Sequence, residues 1–114
     1  MAILKDTIIM GTFQATGSST VSTENYAADA GSTDDYAITL DPAITTYTTG
    51  QEIKFKANTA NADADATLNV NSLGAKSIVK GVDSALAAND ILAGMFCVCI
   101  YNGTKFVLIN PRTL

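Results

Sequence analysis

The feature that most constrains the fold is an Asn-Gly pair between two apolar runs near the C-terminus. Residues 91–101 read ILAGMFCVCIY and residues 104–109 read TKFVLI, with Asn102 and Gly103 between them. Asn-Gly in this setting is the strongest short-range hairpin signal, because a type I′ turn needs positive φ at both central residues. The first run is apolar on both faces, which predicts a central strand covered on each side. The pattern therefore predicts a C-terminal β-hairpin, ended by Pro111.

Shorter segments upstream alternate apolar and polar residues with the period of two that half-buried strands show. They read YAITL from residue 36, IKFKA from residue 53, TLNV from residue 67 and SIVK from residue 77. Turn residues separate them, with predicted turns at residues 48–51, 73–75 and 81–84. Residues 85–90 are compatible with a single helical turn. The pattern predicts an all-β fold, a small antiparallel β-sandwich or barrel with an extended N-terminal arm.

The N-terminal third differs in composition from the rest. Residues 1–14 predict an extended arm with branched aliphatics at Ile3, Leu4, Ile8 and Ile9, and a polar linker follows. The predicted organisation is therefore arm and linker over residues 1–34 and a β-body over residues 35–114. Full burial of each aliphatic contributes about 1.5–3 kcal/mol, so these four residues are predicted to bind a neighbouring subunit or partner sheet. The alternative is an ordinary first strand of the domain.

The charge pattern excludes two classes of partner. The 114-residue chain has a net charge of −4, and its seven Lys and Arg residues are scattered. A nucleic-acid binder needs a basic stripe, and an anionic membrane surface repels an acidic chain. The chain shows no apolar run of about 18 residues for a membrane span, and its N-terminal apolar patch is too short for a signal peptide. We therefore expect a cytoplasmic product that binds neither nucleic acid nor membrane.

The residues needed for common catalytic sites are missing from the sequence. The chain has no histidine, which excludes Ser-His-Asp and Cys-His arrangements, and it has no Gly-rich phosphate loop. The adjacent Asp34 and Asp35 favour a solvated loop over a pair of catalytic carboxylates. We therefore expect a protein that is not an enzyme, with no catalytic residue and no cofactor.

Two groups of residues raise the question of a metal or redox site. Asn61, Asp63 and Asp65 have the alternate spacing that opens a calcium loop, but Ala66 and Ser72 stand where that loop needs Gly and Glu. A polar loop is the preferred interpretation. The only cysteines, Cys97 and Cys99, fall on one face of a strand, too far apart for a disulfide, and are predicted to be buried reduced thiols. No metal site is predicted.

The tyrosines allow two interpretations. Together with exposed Asn and Thr residues they could form a surface that contacts carbohydrate, but tyrosine is also common in ordinary β-proteins. The second interpretation is preferred. The four residues are Tyr26, Tyr36, Tyr47 and Tyr101.

The body resembles a module of bacteriophage tail fibres and receptor-binding adhesins. The segments that carry the resemblance are YAITLDPAITTYTTGQEIKFKANTAN (36–61), ATLNVNSLGAKSIVK (66–80), LAANDILAGM (86–95) and YNGTKFVLINP (101–111). In matching order they cover about two-thirds of the chain. The resemblance implies a β-rich scaffold, commonly trimeric, on the outside of a virion, and it implies no catalytic or ligand-binding residue. Fibre proteins with this module are usually much longer than one module and an arm, which favours a small accessory protein.

Two functions follow as expectations. The first is a non-enzymatic bacteriophage virion protein, made in the host bacterial cytoplasm and displayed on the particle as a capsid decoration, head fibre or tail accessory protein. Its partners would be further copies in a homotrimer and capsid or tail proteins, contacted through the arm. The alternative is a tail-fibre receptor-binding module that recognises a host surface glycan through loops such as residues 58–65.

Overall fold

A computed structural model of the chain describes residues 25–112, which contain eight β-strands and no helix. In chain order we number the strands β1 to β8. They are β1 (Tyr26–Ala28), β2 (Asp35–Ile38), β3 (Glu52–Lys56), β4 (Thr67–Val70), β5 (Ala75–Lys80), β6 (Ser84–Ala85), β7 (Phe96–Tyr101) and β8 (Phe106–Leu108). The all-β prediction is confirmed.

The strands form one mixed sheet that curls into a nearly closed barrel. Its order is β1-β3-β7-β8-β5-β4-β2, and the short β6 pairs with β5. The pairs β1–β3, β2–β4 and β5–β8 are parallel, whereas the other four are antiparallel. Of the two predicted architectures the barrel is the one formed, and its sheet is mixed and not purely antiparallel.

The barrel closes where its end strands, β1 and β2, approach each other. The buried carboxylate of Asp29 accepts hydrogen bonds from the N–H groups of Gly31 (2.8 Å) and Ala37 (2.9 Å) through one oxygen, and from Asn58 (3.0 Å) through the other. The N–H of Ala30 donates to the carbonyl of Ala37 at 2.8 Å. A Cβ on Gly31 would lie 2.0 Å from the carbonyl oxygen of Asp35, so this approach requires glycine. One side chain and one glycine thus hold the seam together.

Inward-facing residues of the strands form a single hydrophobic core. Alternation along β3 and β7 points Ile53 and Phe55 inward next to Cys97 and Cys99, and all four are fully buried. The Tyr36 ring packs on Phe55 with centroids 5.4 Å apart. Further along the barrel the rings of Tyr47, Tyr101 and Phe106 form a triangle with centroids 5.2 Å apart. These aromatic contacts fill much of the barrel interior.

The turn at residues 48–51 forms as the sequence predicts. The N–H of Gln51 donates to the carbonyl of Thr48 (2.9 Å), and Gly50 has a φ of 88°, as the third residue of a type II turn requires. The turn between β4 and β5 is displaced from the predicted residues 73–75. It is centred on Asn71 and Ser72, whose φ values of 51° and 59° are those of a type I′ turn.

The C-terminal hairpin is confirmed, but its predicted type I′ turn is wrong. Tyr101 pairs with Phe106, so four residues connect the strands. Gly103 has a φ of 105°, whereas the φ of Asn102 is not positive. The side-chain oxygen of Asn102 instead accepts hydrogen bonds from the N–H groups of Thr104 (2.9 Å) and Lys105 (2.8 Å). The Asn-Gly pair therefore makes the hairpin through a side-chain turn and a longer loop.

Residues 86–95 form a loop, which corrects two expectations. The possible helical turn at residues 85–90 is absent from the described residues, since Ala85 ends β6 and a non-helical turn follows. The strand predicted over residues 91–101 begins only at Phe96. Both differences have one cause, which is that this loop bonds to the facing loop at Asn61. The N–H of Asn61 donates to the carbonyl of Ile91 (3.1 Å), and the N–H of Ile91 donates to the side-chain oxygen of Asn61 (2.8 Å). These groups of Ile91 are therefore not used in a helix or in strand pairing.

The sheet begins earlier than the predicted boundary between linker and body. Strand β1 lies inside the range that the sequence assigns to the linker, and it pairs in parallel with β3 from Tyr26 onward. The composition of residues 25–34 is polar because the segment supplies the seam and its turn. Residues 1–24 and 113–114 lie outside the described part of the chain.

Candidate partner-binding face

Within residues 25–112 an exposed apolar surface lies on the outside of the barrel around β7. Because side chains alternate along a strand, Phe96, Val98 and Ile100 point outward while the cysteines between them point into the core. Phe96 is 62 % exposed, and Ile109, which follows β8 and hydrogen-bonds to Val98 through its backbone, is 53 % exposed. We call this surface the outer face. It comprises Tyr26, Phe96, Val98, Ile100, Val107 and Ile109.

Charged residues of β3 line one side of the part of the outer face formed by β7 and β8, and Tyr26 lies beyond them on β1. Glu52, Lys54 and Lys56 point outward and pair across to Ile100, Val98 and Phe96 in turn. The Nζ of Lys56 lies 5.7 Å from the centre of the Phe96 ring, and the Tyr26 ring lies 6.1 Å from it. The contact with Lys56 is a cation–π interaction at an exposed site. The face is thus an apolar strip with a mainly basic margin.

The outer face corrects the expectation that β7 is covered on each side. The strand is central in the sheet, as predicted, but among residues 25–112 no second layer packs on its outward side. A barrel places its whole core on one side of the sheet, so the outward side faces solvent. The sequence signal that both faces of β7 are apolar was correct, and the outward face is partly exposed.

The predicted partner-binding residues of the arm, Ile3, Leu4, Ile8 and Ile9, lie outside the described residues. The chain enters the barrel at Asn25, whose carbonyl accepts a hydrogen bond from the N–H of Lys54 in β3 and which precedes Tyr26 on the outer face. The sequence did not single out Phe96 and Ile109 as candidate site residues. The pattern that could have identified them is that both lie in apolar runs in which the outward positions are apolar too.

The loop that contains Asn61, Asp63 and Asp65 is organised by its own hydrogen bonds. The Asn61 side chain is buried, its oxygen accepts from the N–H of Ile91 (2.8 Å), and its nitrogen donates to the carbonyls of Asp63 and Ala87, both at 2.9 Å. An oxygen of Asp63 accepts from the N–H of Asp65 at 2.8 Å. The amide of Asn61 is therefore used within the fold, where it ties two loops together. Within residues 25–112 no three His, Cys, Asp or Glu side chains are grouped as metal ligands.

The cysteines are buried and unpaired, as the sequence predicts. Burial raises the pKa of the Cys97 thiol to about 12. Burial also raises the pKa of Cys99, and the nearby Cys97 thiol raises that pKa further by a smaller amount. A thiol held in its protonated form is a poor nucleophile and a poor metal ligand. Both cysteines therefore act as small core side chains.

The four tyrosines do not form one surface. Tyr36 is 1 % exposed and donates its hydroxyl to the carbonyl of Thr59 at 2.7 Å, and burial raises its pKa. Tyr101 is buried as well, and Tyr26 belongs to the outer face. The Tyr47 hydroxyl donates to the carbonyl of Gly74 (2.6 Å) and accepts from the N–H of Val70 (2.9 Å). A shared carbohydrate surface built from all four is thus excluded by their positions.

A shallow groove of about 320 Å³ lies at the end of the barrel where Tyr47 packs. Its lining combines hydroxyl groups, one amine and aromatic edges, a set of groups that suits a polar ligand. The lining residues are Thr45, Thr46, Tyr47, Leu73, Lys76 and Tyr101.

In comparisons with known proteins, no family model and no curated protein matches the chain. Over the described range the structure also contains no helix of the length and apolar character needed to cross a bilayer.

Proposed function

We propose that the protein is a non-enzymatic structural protein of a bacteriophage particle, displayed on the particle exterior and attached through its N-terminal arm. In this role it is a capsid decoration, head fibre or tail accessory protein, assembled as a homotrimer on a virion and made in the host cytoplasm. The resemblance of residues 36–111 to fibre modules supports the proposal. It is also consistent with the use of the polar groups described above, since Asp29, Asn61 and Asn102 all bond within the fold.

The outer face is the observation that carries the proposal. A strip in which Phe96 and Ile109 are more than half exposed is the kind of apolar surface through which proteins contact one another. Its apolar character with a basic margin suits a protein partner better than a small polar ligand.

The first test is the copy number of the protein in purified virions, measured by quantitative mass spectrometry against the major capsid protein. A number close to that of the capsid protein would indicate decoration of the capsid, and a much smaller one a tail or sparse head fibre. Absence of the protein from virions would contradict the proposal.

The role of the arm is tested by deleting residues 1–14. We expect the truncated protein to fold as a barrel, because residues 25–112 supply the eight described strands and a buried hydrophobic cluster, and to lose attachment to particles. Circular dichroism reports the fold, and co-sedimentation with particles that lack the protein reports attachment. A truncated barrel that unfolds would show that the arm belongs to its own core.

Recognition of a host surface glycan is the second candidate, favoured by the groove beside Tyr47. Its hydroxyls and the amine of Lys76 could bond to sugar hydroxyls while the aromatic edges contact the ring. Binding of the protein to a glycan array, lost in Lys76→Ala, would support this candidate. Attachment to empty capsids or tails without any glycan signal would support the structural role.

A further inference from the structure

The outer face exposes apolar residues, and the arm of the same chain contains apolar residues that could pack on them. Phe96 and Ile109 are the most exposed residues of the face, and leaving them in water forgoes the free energy of their burial. The arm carries four branched aliphatic residues, Ile3, Leu4, Ile8 and Ile9, whose burial would contribute free energy in the same way. Contact between the apolar residues of the arm and those of the outer face would bury both from water.

The point of entry of the chain brings the arm to this face. Tyr26, whose ring lies 6.1 Å from that of Phe96, is preceded directly by the segment that leads to the arm. An extended chain covers about 3.3 Å per residue, so the segment between Ile9 and Tyr26 can reach any part of the face. Gly11 and Gly17 and the Ser and Thr residues around them permit the chain to reverse direction.

We propose that, in the free protein, the apolar residues of the arm lie on the outer face of the same chain. The same chain is favoured over a second copy because a short covalent tether gives the arm an effective concentration in the millimolar range. On the proposed function, this contact keeps the anchoring arm and the outer face covered until a particle surface competes for them. The inference rests on that function only for this last step, since the contact itself is a property of the free protein.

The test is chemical crosslinking between lysines in an equimolar mixture of 15N-labelled and unlabelled full-length protein. Lys5 lies in the arm, and Lys54 and Lys56 lie at the outer face. We expect crosslinks from Lys5 to Lys56 or Lys54 in which both peptides carry the same isotope. Crosslinks of mixed isotope would overturn the proposal and show that the arm binds a second copy.

Variants show whether the outer face is the surface involved. Phe96→Ser and, separately, Ile109→Ser should reduce the yield of the same-isotope crosslink by about tenfold. Val82→Ser is the matched control, because Val82 is 87 % exposed in the turn between β5 and β6, away from the face, and should leave the yield unchanged. Since Phe96 and Ile109 are exposed, both variants should fold, and circular dichroism verifies this.

Two further results would overturn the proposal. One is the absence of any crosslink from Lys5 to the two lysines of β3 in the unmodified protein, and the other is an equal yield in Phe96→Ser and Val82→Ser. The experiment uses free protein without particles, so its failure is distinct from failure of the proposed function. Absence from virions with an intact crosslink would refute the function alone.

Discussion

At the scale of single residues, two buried polar side chains do what no apolar residue could do at their positions. Asp29 accepts three backbone hydrogen bonds at the seam of the barrel, and Asn61 makes three, two of them to the facing loop. Buried N–H and carbonyl groups cost free energy when they lack partners, and loops next to a core contain many such groups. These side chains supply partners where no strand is available.

The seam gives a prediction for Asp29→Asn. The amide oxygen can keep the bonds to Gly31 and Ala37, but the amide nitrogen would then face the N–H of Asn58, a donor against a donor. We expect the free energy of unfolding to fall by about 1–3 kcal/mol, measured by urea unfolding. Asp65→Asn, at an exposed position, is the control and should change it little. Equal stability of the two variants would contradict the role of Asp29.

At the scale of elements, the alternation of apolar and polar residues decides where the strands lie, and hydrogen bonds from side chains decide the conformation of the loops. The inward residues of β3 and β7 were evident from the period of two, because alternation places every second side chain on one face. The turn type at Asn102 and the course of residues 86–95 were not evident. Both depend on hydrogen bonds that the local residue types permit but do not require. At the hairpin the bonds go to the side chain of Asn102, and in residues 86–95 they go to a loop distant in the chain.

The pair of facing loops gives a prediction for Asn61→Ala. The substitution removes three hydrogen bonds and leaves the buried N–H of Ile91 without its side-chain acceptor. We expect a loss of about 2–4 kcal/mol in the free energy of unfolding. Asn58→Ala removes the same side chain from an exposed position in the same loop, and it should cost much less. Similar losses in both variants would show that Asn61 does not join the loops.

At the scale of the whole molecule, the barrel keeps several acidic protons in its core. Burial raises the pKa values of Cys97, Cys99 and Tyr36. In the unfolded chain the thiols titrate near their ordinary value of about 8.5, well below their folded values. The unfolded state then binds fewer protons than the native state at alkaline pH, so stability must fall there as pH rises.

This linkage predicts alkaline sensitivity. The stability contributed by the protonated thiols is complete below pH of about 8.5 and is lost as pH rises toward the folded pKa of Cys97, about 12. Urea unfolding at a series of pH values from neutral upward should show this decline. The double variant Cys97→Ala with Cys99→Ala should start from a lower stability, because it leaves a cavity, but should decline less steeply. A decline equally steep in the double variant would contradict the assignment.

What the sequence determined by itself is local: an all-β chain, the places of most strands, the C-terminal hairpin and the burial of the two cysteines. Periodicity and turn residues act between neighbours in the chain, so they can be recognised without a structure. Only the tertiary structure decided that three strand pairs are parallel, that Asp29 closes a barrel, and that the apolar outward side of β7 remains exposed. Those features depend on which distant segments meet, and the exposure of Phe96 follows from a barrel having its core on one side of the sheet only.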